Sequence, residues 1–344
     1  MKLKKLVSLS LTMVMSIGLL AGCSSNKKED VSSKVVKVGM ITDVGGVHDE
    51  SFNQSSWEGL EAIEKELGKD KVNVKYLEST QDADYTPNIE EFVDQEMDLI
   101  IGVGYKLEKA IAEAAKNYPE QQFAIIDFAY EKQPENVTSL LFEDNASAYL
   151  TGLIAGKMTE TNKVSFIGGQ KGVVISKFEN GFKAGVKDSN PDAEVLVQYA
   201  NSFSDQALGK SIATSMIKKG VDIVFPAAGA VGTGAIEAVK ENGKMAIGVD
   251  RDQNSLAPEH VITSAMKNID IAVGNLVKSF VDGSYKSGEV IVGTLATGGV
   301  GIAPTSDKNV PAEILEYVEK QSKEVIDGKI KVPATDEEFK TFGK

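Results

Sequence analysis

Cysteine and histidine are scarce in this chain of 344 residues, which contains one cysteine and two histidines. Because Cys23 is the only cysteine, no disulfide can form within the chain. His48 and His260 belong to no cysteine-histidine cluster, so they do not supply the ligand set of a zinc site. The sequence therefore predicts no metal site and no cofactor.

Basic residues are also in deficit, since 37 lysines and arginines stand against 50 aspartates and glutamates, a formal net charge of −13. A chain with this excess of negative charge is repelled by nucleic acid and by an anionic membrane surface. We therefore expect no nucleic-acid partner. Contact with a membrane must come from an anchor rather than from the charge of the surface.

The first 22 residues lack the length of a membrane-spanning helix but have the features of a signal peptide. Three lysines precede an uncharged, mainly apolar run at residues 6–20. This run is shorter than the roughly 20 apolar residues that a spanning helix needs, and its length and flanks are typical of a secretory signal. Removal of residues 1–22 leaves 34 basic against 50 acidic residues, a net charge of −16.

The signal ends in Leu20-Ala21-Gly22-Cys23, which resembles the lipobox of bacterial lipoproteins. The resemblance implies cleavage before Cys23 and acylation of its thiol and of the new amino group. Acyl chains contribute about 0.8 kcal/mol per buried methylene, so two or three of them hold a soluble domain at a membrane. Residues 23–34 are polar, which is typical of a flexible tether. We therefore expect a lipid-anchored protein on the extracytoplasmic face of the cell membrane.

Beyond the tether, short runs rich in valine and isoleucine alternate with helical patterns. Such runs are typical of parallel strands that are buried on both faces. The alternation predicts parallel sheets with right-handed crossovers, an α/β fold. The predicted strands cover residues 35–41, 72–76, 99–103, 123–126, 137–141, 164–167, 195–199, 223–225, 245–249 and 261–265.

A faint repeat indicates that the chain is built from two similar halves. Gly104 follows one strand and Asp127 ends the next, while Gly229 and Asp250 take the corresponding places in the second half. The roughly 310 residues of the mature chain exceed what one hydrophobic core usually holds. The sequence therefore predicts two doubly wound lobes.

Ligands of open parallel sheets bind beyond the carboxyl ends of the strands, so two facing lobes would share one cleft. Asp43, Asp127 and Asp250 directly follow strands, and Lys267 follows the predicted strand at residues 261–265. One aspartate in this position is more often a helix cap or turn former, but three at matched positions favour a site. Carboxylates accept hydrogen bonds from hydroxyl and amine groups and repel phosphate. This chemistry fits a sugar or a nucleoside.

Aromatic residues lie near the same loops. Phe52 stands at the start of the helix after the first strand, Tyr105 follows Gly104, and Phe203 precedes a helix that we expect Ser204 to cap. Rings on opposite lobes can hold a planar base between them, and stacking is worth about 1–3 kcal/mol per base.

Two of the aromatic candidates also have a purely structural interpretation. Phe203 and Leu208 have the N′ and N4 spacing of a hydrophobic staple. Trp57 lies one turn after Asn53 on the same helix face, but packing against the sheet is the simpler interpretation of this tryptophan.

Residues 39–46 (GMITDVGG) and 49–54 (DESFNQ) resemble the opening motif of the basic membrane protein (BMP) family of lipoproteins. Residues 178–182, 227–229 and 248–250 match later patterns of that family. The resemblance covers the whole mature chain and implies a two-lobed fold of the type I periplasmic-binding-protein kind, the sugar-receptor type.

The implied fold divides the mature chain between its lobes. We expect the N-terminal lobe to comprise residues 35–144 plus about 264–300. The C-terminal lobe would then comprise residues 145–263 plus about 301–344, and we expect a monomer.

The best-known members of the BMP family are purine-nucleoside receptors of ABC importers, not enzymes. The resemblance therefore implies a nucleoside ligand such as guanosine, inosine or adenosine. It also implies a membrane permease and an ATPase on a separate chain, since this sequence has no P-loop.

The resemblance also assigns site residues. Two phenylalanines that stack on the base match Phe52 and Phe203, and an asparagine and an aspartate at the base edge match Asn53 and Asp127. Asp43 matches an aspartate that orders the pocket or touches the base.

The groups near the ribose in those receptors match Gly229, Asp250 and Lys267. Gly104 and Tyr105 are further candidates at the equivalent strand end of the other lobe.

Other functions stay open at this point. A free sugar would use the same carboxylates and an aromatic platform. A nucleoside hydrolase needs a carboxylate-rich metal cluster or an activated nucleophile, and the segment around Asp43 lacks the clustered aspartates of such enzymes. An additional role as a surface adhesin or antigen is compatible with the sequence, whereas a related competence regulator is disfavoured by the lipobox and the acidity.

Overall fold

Two six-stranded sheets dominate the computed structural model, which describes residues 34–343. The first sheet, in the N-terminal lobe, contains β1 (Val36–Ile41), β2 (Val72–Leu77), β3 (Leu99–Gly102), β4 (Gln122–Ile126), β5 (Val137–Phe142) and β11 (Val290–Gly293). The second sheet, in the C-terminal lobe, contains β6 (Lys163–Gly168), β7 (Glu194–Tyr199), β8 (Ile223–Ala227), β9 (Met245–Asp250), β10 (Val261–Lys267) and β12 (Val300–Ile302).

The helices connect the strands and cover both faces of each sheet. They are α1 (Phe52–Leu67), α2 (Tyr85–Asp94), α3 (Glu108–Asn117), α4 (Asp144–Met158), α5 (Val173–Ser189), α6 (Gln206–Lys218), α7 (Ala230–Glu241), α8 (Ile269–Asp282), α9 (Ala312–Ile326) and α10 (Asp336–Thr341). The two predicted doubly wound sheets are therefore confirmed.

The two sheets follow the same path. Their strand orders are β11-β5-β4-β3-β1-β2 and β12-β10-β9-β8-β6-β7. Strands β6 to β10 therefore take the places of β1 to β5, and the edge strand β12 takes the place of β11. All pairs in the first sheet are parallel, whereas β12 pairs with β10 in antiparallel orientation. The repeat predicted from the sequence is thus a repeat of topology.

Side chains from adjacent positions on one strand enter different cores. Leu99 and Ile101 of β3 lie in the core on one face of the first sheet, and Ile100 between them lies in the core on the other face. This burial explains why the strands appear in the sequence as unbroken apolar runs. All ten predicted strands fall on observed strands. The short edge strands β11 and β12 were not predicted.

The chain passes between the sheets three times, from β5 to α4, from β10 to α8 and from β11 to β12. After the first passage, α4 packs on α5 in the C-terminal lobe; after the second, α8 packs on α1 in the N-terminal lobe.

Among residues 34–343, no helix combines the length and the apolar character that crossing a membrane requires. The predicted signal peptide, Cys23 and nearly all of the tether lie outside the described residues.

Candidate functional site

A cavity lies between the lobes, at the carboxyl ends of strands from both sheets. Its volume is about 600 Å³ including the solvent at its mouth. Ten of the eleven candidate ligand-binding residues line it: Asp43, Phe52, Asn53, Gly104, Tyr105, Asp127, Phe203, Gly229, Asp250 and Lys267. The geometry therefore brings together residues that are up to 224 positions apart in the chain.

Trp57 is the candidate that the structure does not bring to the cavity. Its ring packs edge to face on Tyr76 of β2, with the ring centroids 4.8 Å apart. The position one turn after Asn53 does not bring it to the cavity, and its contact with β2 agrees with the packing interpretation.

The backbone at the matched strand ends takes matched conformations. Gly104 and Gly229 have φ angles of +106° and +57°, and Asp127 and Asp250 have φ angles of +68° and +66°. Residues with a side chain rarely adopt such angles, and holding them there costs of order 1–3 kcal/mol. The same strain at equivalent points of both lobes turns the two carboxylates toward the shared cavity.

Asn53 is fully engaged within the N-terminal lobe. Its Nδ2 donates to Oδ1 of Asp43 at 2.8 Å and to Oδ2 of Asp49 at 2.9 Å, and its Oδ1 accepts from the backbone N–H of Asp43 at 3.1 Å. The two bonds from Nδ2 use both N–H donors of the side-chain amide. Asn53 therefore has no donor left for a base edge, and its hydrogen bonds hold Asp43.

Asp49 supplies the cap of α1. Its carboxylate accepts from the backbone N–H groups of Ser51, Asn53 and Gln54 at 2.9, 2.9 and 3.1 Å. Asp49 therefore satisfies free N–H groups at the start of this helix. The Ser51 hydroxyl is used elsewhere, since it donates across the cleft to Asp250.

Burial sets the charge state of two cavity carboxyls. It raises the pKa of Asp43 to about 6, although Asn53 and Gly45 donate to this carboxyl. Burial also raises the pKa of Asp250 to about 7, against the opposing effects of Lys267 and Ser51. Both groups therefore exchange protons near neutral pH.

Lys267 is the buried cation of the site. Its Nζ lies 2.6 Å from Oδ2 of Asp127 and 3.1 Å from Oδ1 of Asp144. Burial alone would lower the pKa of Lys267, but Asp127, Asp144 and Asp250 outweigh it, so the pKa is raised. Lys267 therefore stays charged.

Asp144 is a buried partner of Lys267 that was not predicted from the sequence. It begins α4 two residues after β5, so it too is a carboxylate beyond a strand end. Its side chain is 1% exposed, and its charge is compensated by Lys267 and, at 3.9 Å, by Lys177. Like the other aspartates, Asp144 comes after a strand, but Glu143 stands between it and the end of that strand.

Phe52 and Phe203 reach the cavity from opposite lobes. The helix after Phe203 is capped by Asp205, whose carboxylate accepts from the N–H of Leu208 at 2.9 Å. The expectation that Ser204 caps this helix is therefore wrong. Because Phe203 stands two residues before the cap and Leu208 at N3, the staple interpretation fails as well.

Within residues 34–343, no group of histidine, cysteine or acidic side chains is arranged to hold a metal ion. The cavity walls also contain apolar residues that were not singled out individually, chiefly Val174, Ile175, Phe178 and Val249.

Known proteins resemble this chain along nearly its whole length. The sequence profile of a family described as ABC transporter substrate-binding protein PnrA-like matches residues 36–336. The CD4+ T-cell-stimulating antigen of Listeria innocua is 42% identical, covering 96% of this chain and 99% of the relative. The ABC transporter nucleoside-binding protein BmpA of Lactococcus lactis is 39% identical, with the same coverage.

Among solved structures, an ABC transporter solute-binding protein from Aeropyrum pernix superimposes with a TM-score of 0.81 at 27% identity. The match covers 89% of this chain and 96% of that structure. The fold is thus that of the solute-binding proteins of ABC transporters, the type I periplasmic-binding-protein architecture.

Proposed function

The chain belongs to the PnrA-like family of ABC transporter substrate-binding proteins, and on that premise we propose that it binds a purine nucleoside in the interlobe cavity and delivers it for import. The observation that carries the proposal is a cavity lined by one phenylalanine from each lobe and by carboxylates of both lobes. The name of the Lactococcus lactis relative supports the same class of ligand.

The hydrogen-bonding capacity of the cavity favours a ligand with many donors. Among the described residues, none donates to Oδ2 of Asp43, to Oδ1 of Asp127 or to Oδ1 of Asp250. Ribose hydroxyls and base N–H groups are donors that suit these oxygens, and each charge-assisted bond is worth roughly 1.5–3 kcal/mol. A nucleotide would bring phosphate charge next to the same carboxylates, so it is disfavoured.

The two phenylalanines favour a flat ligand. Phe52 belongs to the N-terminal lobe and Phe203 to the C-terminal lobe. A base held between them would draw the lobes together, which makes ligand binding and lobe closure one equilibrium. A free sugar, the main alternative ligand, would also use the carboxylates and an aromatic ring, but it has no planar π-system for two rings to stack on.

The proposal places the domain outside the cell, held by acyl chains on Cys23 after removal of residues 1–22. Its partners would be a membrane permease and a separate ATPase, and it would act as a monomer. The acidic cavity would serve binding and not catalysis.

The boundary between the lobes, expected near residue 264, is proposed to lie nearer residue 268. This position follows because β10 is part of the second sheet up to Lys267.

A thermal-shift panel tests the proposal. Guanosine, inosine and adenosine should raise the melting temperature by mass action, whereas ribose, free phosphate and nucleoside monophosphates should not. A shift with ribose and none with the nucleosides would favour the sugar receptor. Release of hypoxanthine from inosine by the pure protein would identify an enzyme instead.

A further inference from the structure

The only arginine in the chain, Arg251, joins the two lobes beside the cavity. It directly follows Asp250, the last residue of β9 in the C-terminal lobe. Its Nη1 lies 3.0 Å from Oε2 of Glu50, and its Nη2 lies 3.0 Å from Oε1 of Glu58. Glu50 precedes α1 and Glu58 lies within it. One side chain of the C-terminal lobe therefore bridges two acids of the N-terminal lobe.

Two further hydrogen bonds cross the cleft at the same place. The Ser51 hydroxyl donates to Oδ2 of Asp250 at 2.5 Å, and Nε2 of Gln253 donates to the backbone oxygen of Glu50 at 2.7 Å. Asp250 lines the cavity, but Arg251 does not. The contact of Arg251 with the two glutamates thus lies next to the cavity without lining it.

We propose that Arg251 is a latch that holds the lobes closed and sets the rate of ligand release without touching the ligand. This inference rests on the proposed function, because it names how that site is regulated. The two bridges exist only when the lobes meet, so they stabilise the closed form and not the open one.

The choice of arginine fits this task. The guanidinium is planar and presents separate nitrogen donors at fixed angles, so it can bind one carboxylate at each side. A lysine offers one compact ammonium group and cannot hold both glutamates in the same geometry. Gln54 supports the same contact, since its Nε2 donates to Oε1 of Glu58 at 3.0 Å and its Oε1 accepts from the backbone N–H of Glu50 at 3.1 Å.

The latch is weak enough to open. The side chains of Arg251, Glu50 and Glu58 keep 27%, 45% and 44% exposure, so solvent screens both bridges. Partly exposed ion pairs of this kind change equilibria modestly. We therefore expect their loss to accelerate release by about three- to tenfold.

Lys210 offers a matched control. Its Nζ also bridges two glutamates, Glu237 at 3.0 Å and Glu241 at 2.8 Å, but all three residues lie within the C-terminal lobe. Lys210→Gln therefore removes the same charge and the same number of bridges without affecting the cleft.

Stopped-flow binding of inosine to the full chain tests the latch. Arg251→Gln should raise the dissociation rate constant about three- to tenfold, while Lys210→Gln should leave it unchanged. Arg251→Lys should fall between wild type and Arg251→Gln. An unchanged dissociation rate in Arg251→Gln, or an equal rise in Lys210→Gln, would overturn the latch.

Small-angle X-ray scattering separates failure of the latch from failure of the proposed function. If the wild type binds no nucleoside, the proposed function fails, but the ligand-free proteins still report on the latch. Arg251→Gln should then have a larger radius of gyration than the wild type and Lys210→Gln. Superimposable scattering curves in that case would refute the latch.

Discussion

Ser51 and Asp250 meet across the cleft, where the serine hydroxyl donates a 2.5 Å hydrogen bond to the Oδ2 of the aspartate. This bond joins the start of α1 in the N-terminal lobe to the end of β9 in the C-terminal lobe. Asp250 thereby couples the cavity to the contact between the lobes, and its protonation should affect both.

The stability of the ligand-free protein should depend on the ionisation of Asp250. Burial raises the pKa of Asp250 to about 7, whereas the unfolded value is about 3.9. The folded state therefore binds an extra proton between about pH 4 and 7, and stability falls as the pH rises through this window. Asp250→Asn should thus stabilise the protein more at pH 8 than at pH 5.5, by on the order of 1–2 kcal/mol in urea unfolding. An equal effect at both pH values would contradict the raised pKa.

The affinity for a nucleoside should change with pH in the opposite sense. Ligand donors need ionised acceptors, and the pKa values of Asp43 and Asp250 are raised to about 6 and about 7 by burial. Protonation of Asp250 alone should weaken binding about tenfold between pH 8 and pH 6. Calorimetry of inosine binding across this range checks the prediction, and an affinity that does not vary with pH would exclude a role for either carboxylate.

Removal of the Phe203 ring should weaken binding without loss of folding. Stacking is worth about 1–3 kcal/mol per base, so Phe203→Ala should raise the dissociation constant roughly 5- to 150-fold. Phe339→Ala is the control, because Phe339 is a half-buried ring of the same lobe that packs on Lys183 away from the cavity. A similar loss of affinity in both variants would argue against stacking.

Asn53 should act on the ligand only through Asp43. Both amide donors of Asn53 are bound to Asp43 and Asp49, so Asn53→Ala should weaken binding by releasing the Asp43 carboxylate. In the background of Asp43→Asn, the same substitution should then have little further effect. A double-mutant cycle measures this coupling. Additive losses would show instead that Asn53 contacts the ligand itself.

Removal of the Lys267 charge should lower the free energy of unfolding more than removal of the Asp144 charge. Lys267→Met leaves Asp127 buried without its counter-charge and Asp144 with Lys177 alone, at 3.9 Å. Breaking a buried ion pair lowers the free energy of unfolding by about 3–5 kcal/mol. Asp144→Asn leaves Lys267 paired with Asp127 at 2.6 Å, so its cost should be smaller. The double variant should be more stable than the sum of the single losses implies. Urea unfolding measures all three, and strict additivity would contradict the coupling.

Most of the architecture could be predicted from the sequence because the strands are buried on both faces. Apolar runs such as residues 99–103 mark parallel strands directly, and glycine and aspartate at Gly104 and Asp127 mark where these strands end. The strands β11 and β12 escaped prediction because they have four and three residues and lie at sheet edges.

The contacts within the site were less accessible to sequence reasoning. The hydrogen bond from Asn53 to Asp43, the pairing of Asp144 with Lys267 and the contact of Arg251 with Glu58 join positions 10 to 193 residues apart. No local pattern encodes such distances. The cap of α6 was predicted wrongly because Ser204 and Asp205 are both residue types that cap helices well. Only the register of the helix decides between them.

Isothermal titration calorimetry of the wild-type protein with inosine, ribose and inosine monophosphate tests the central claim most directly. A nucleoside held between Phe52 and Phe203, with its donors on the cavity carboxylates, predicts one-to-one binding of inosine and no measurable binding of the other two. Saturable binding of ribose with no heat from inosine would contradict the nucleoside receptor.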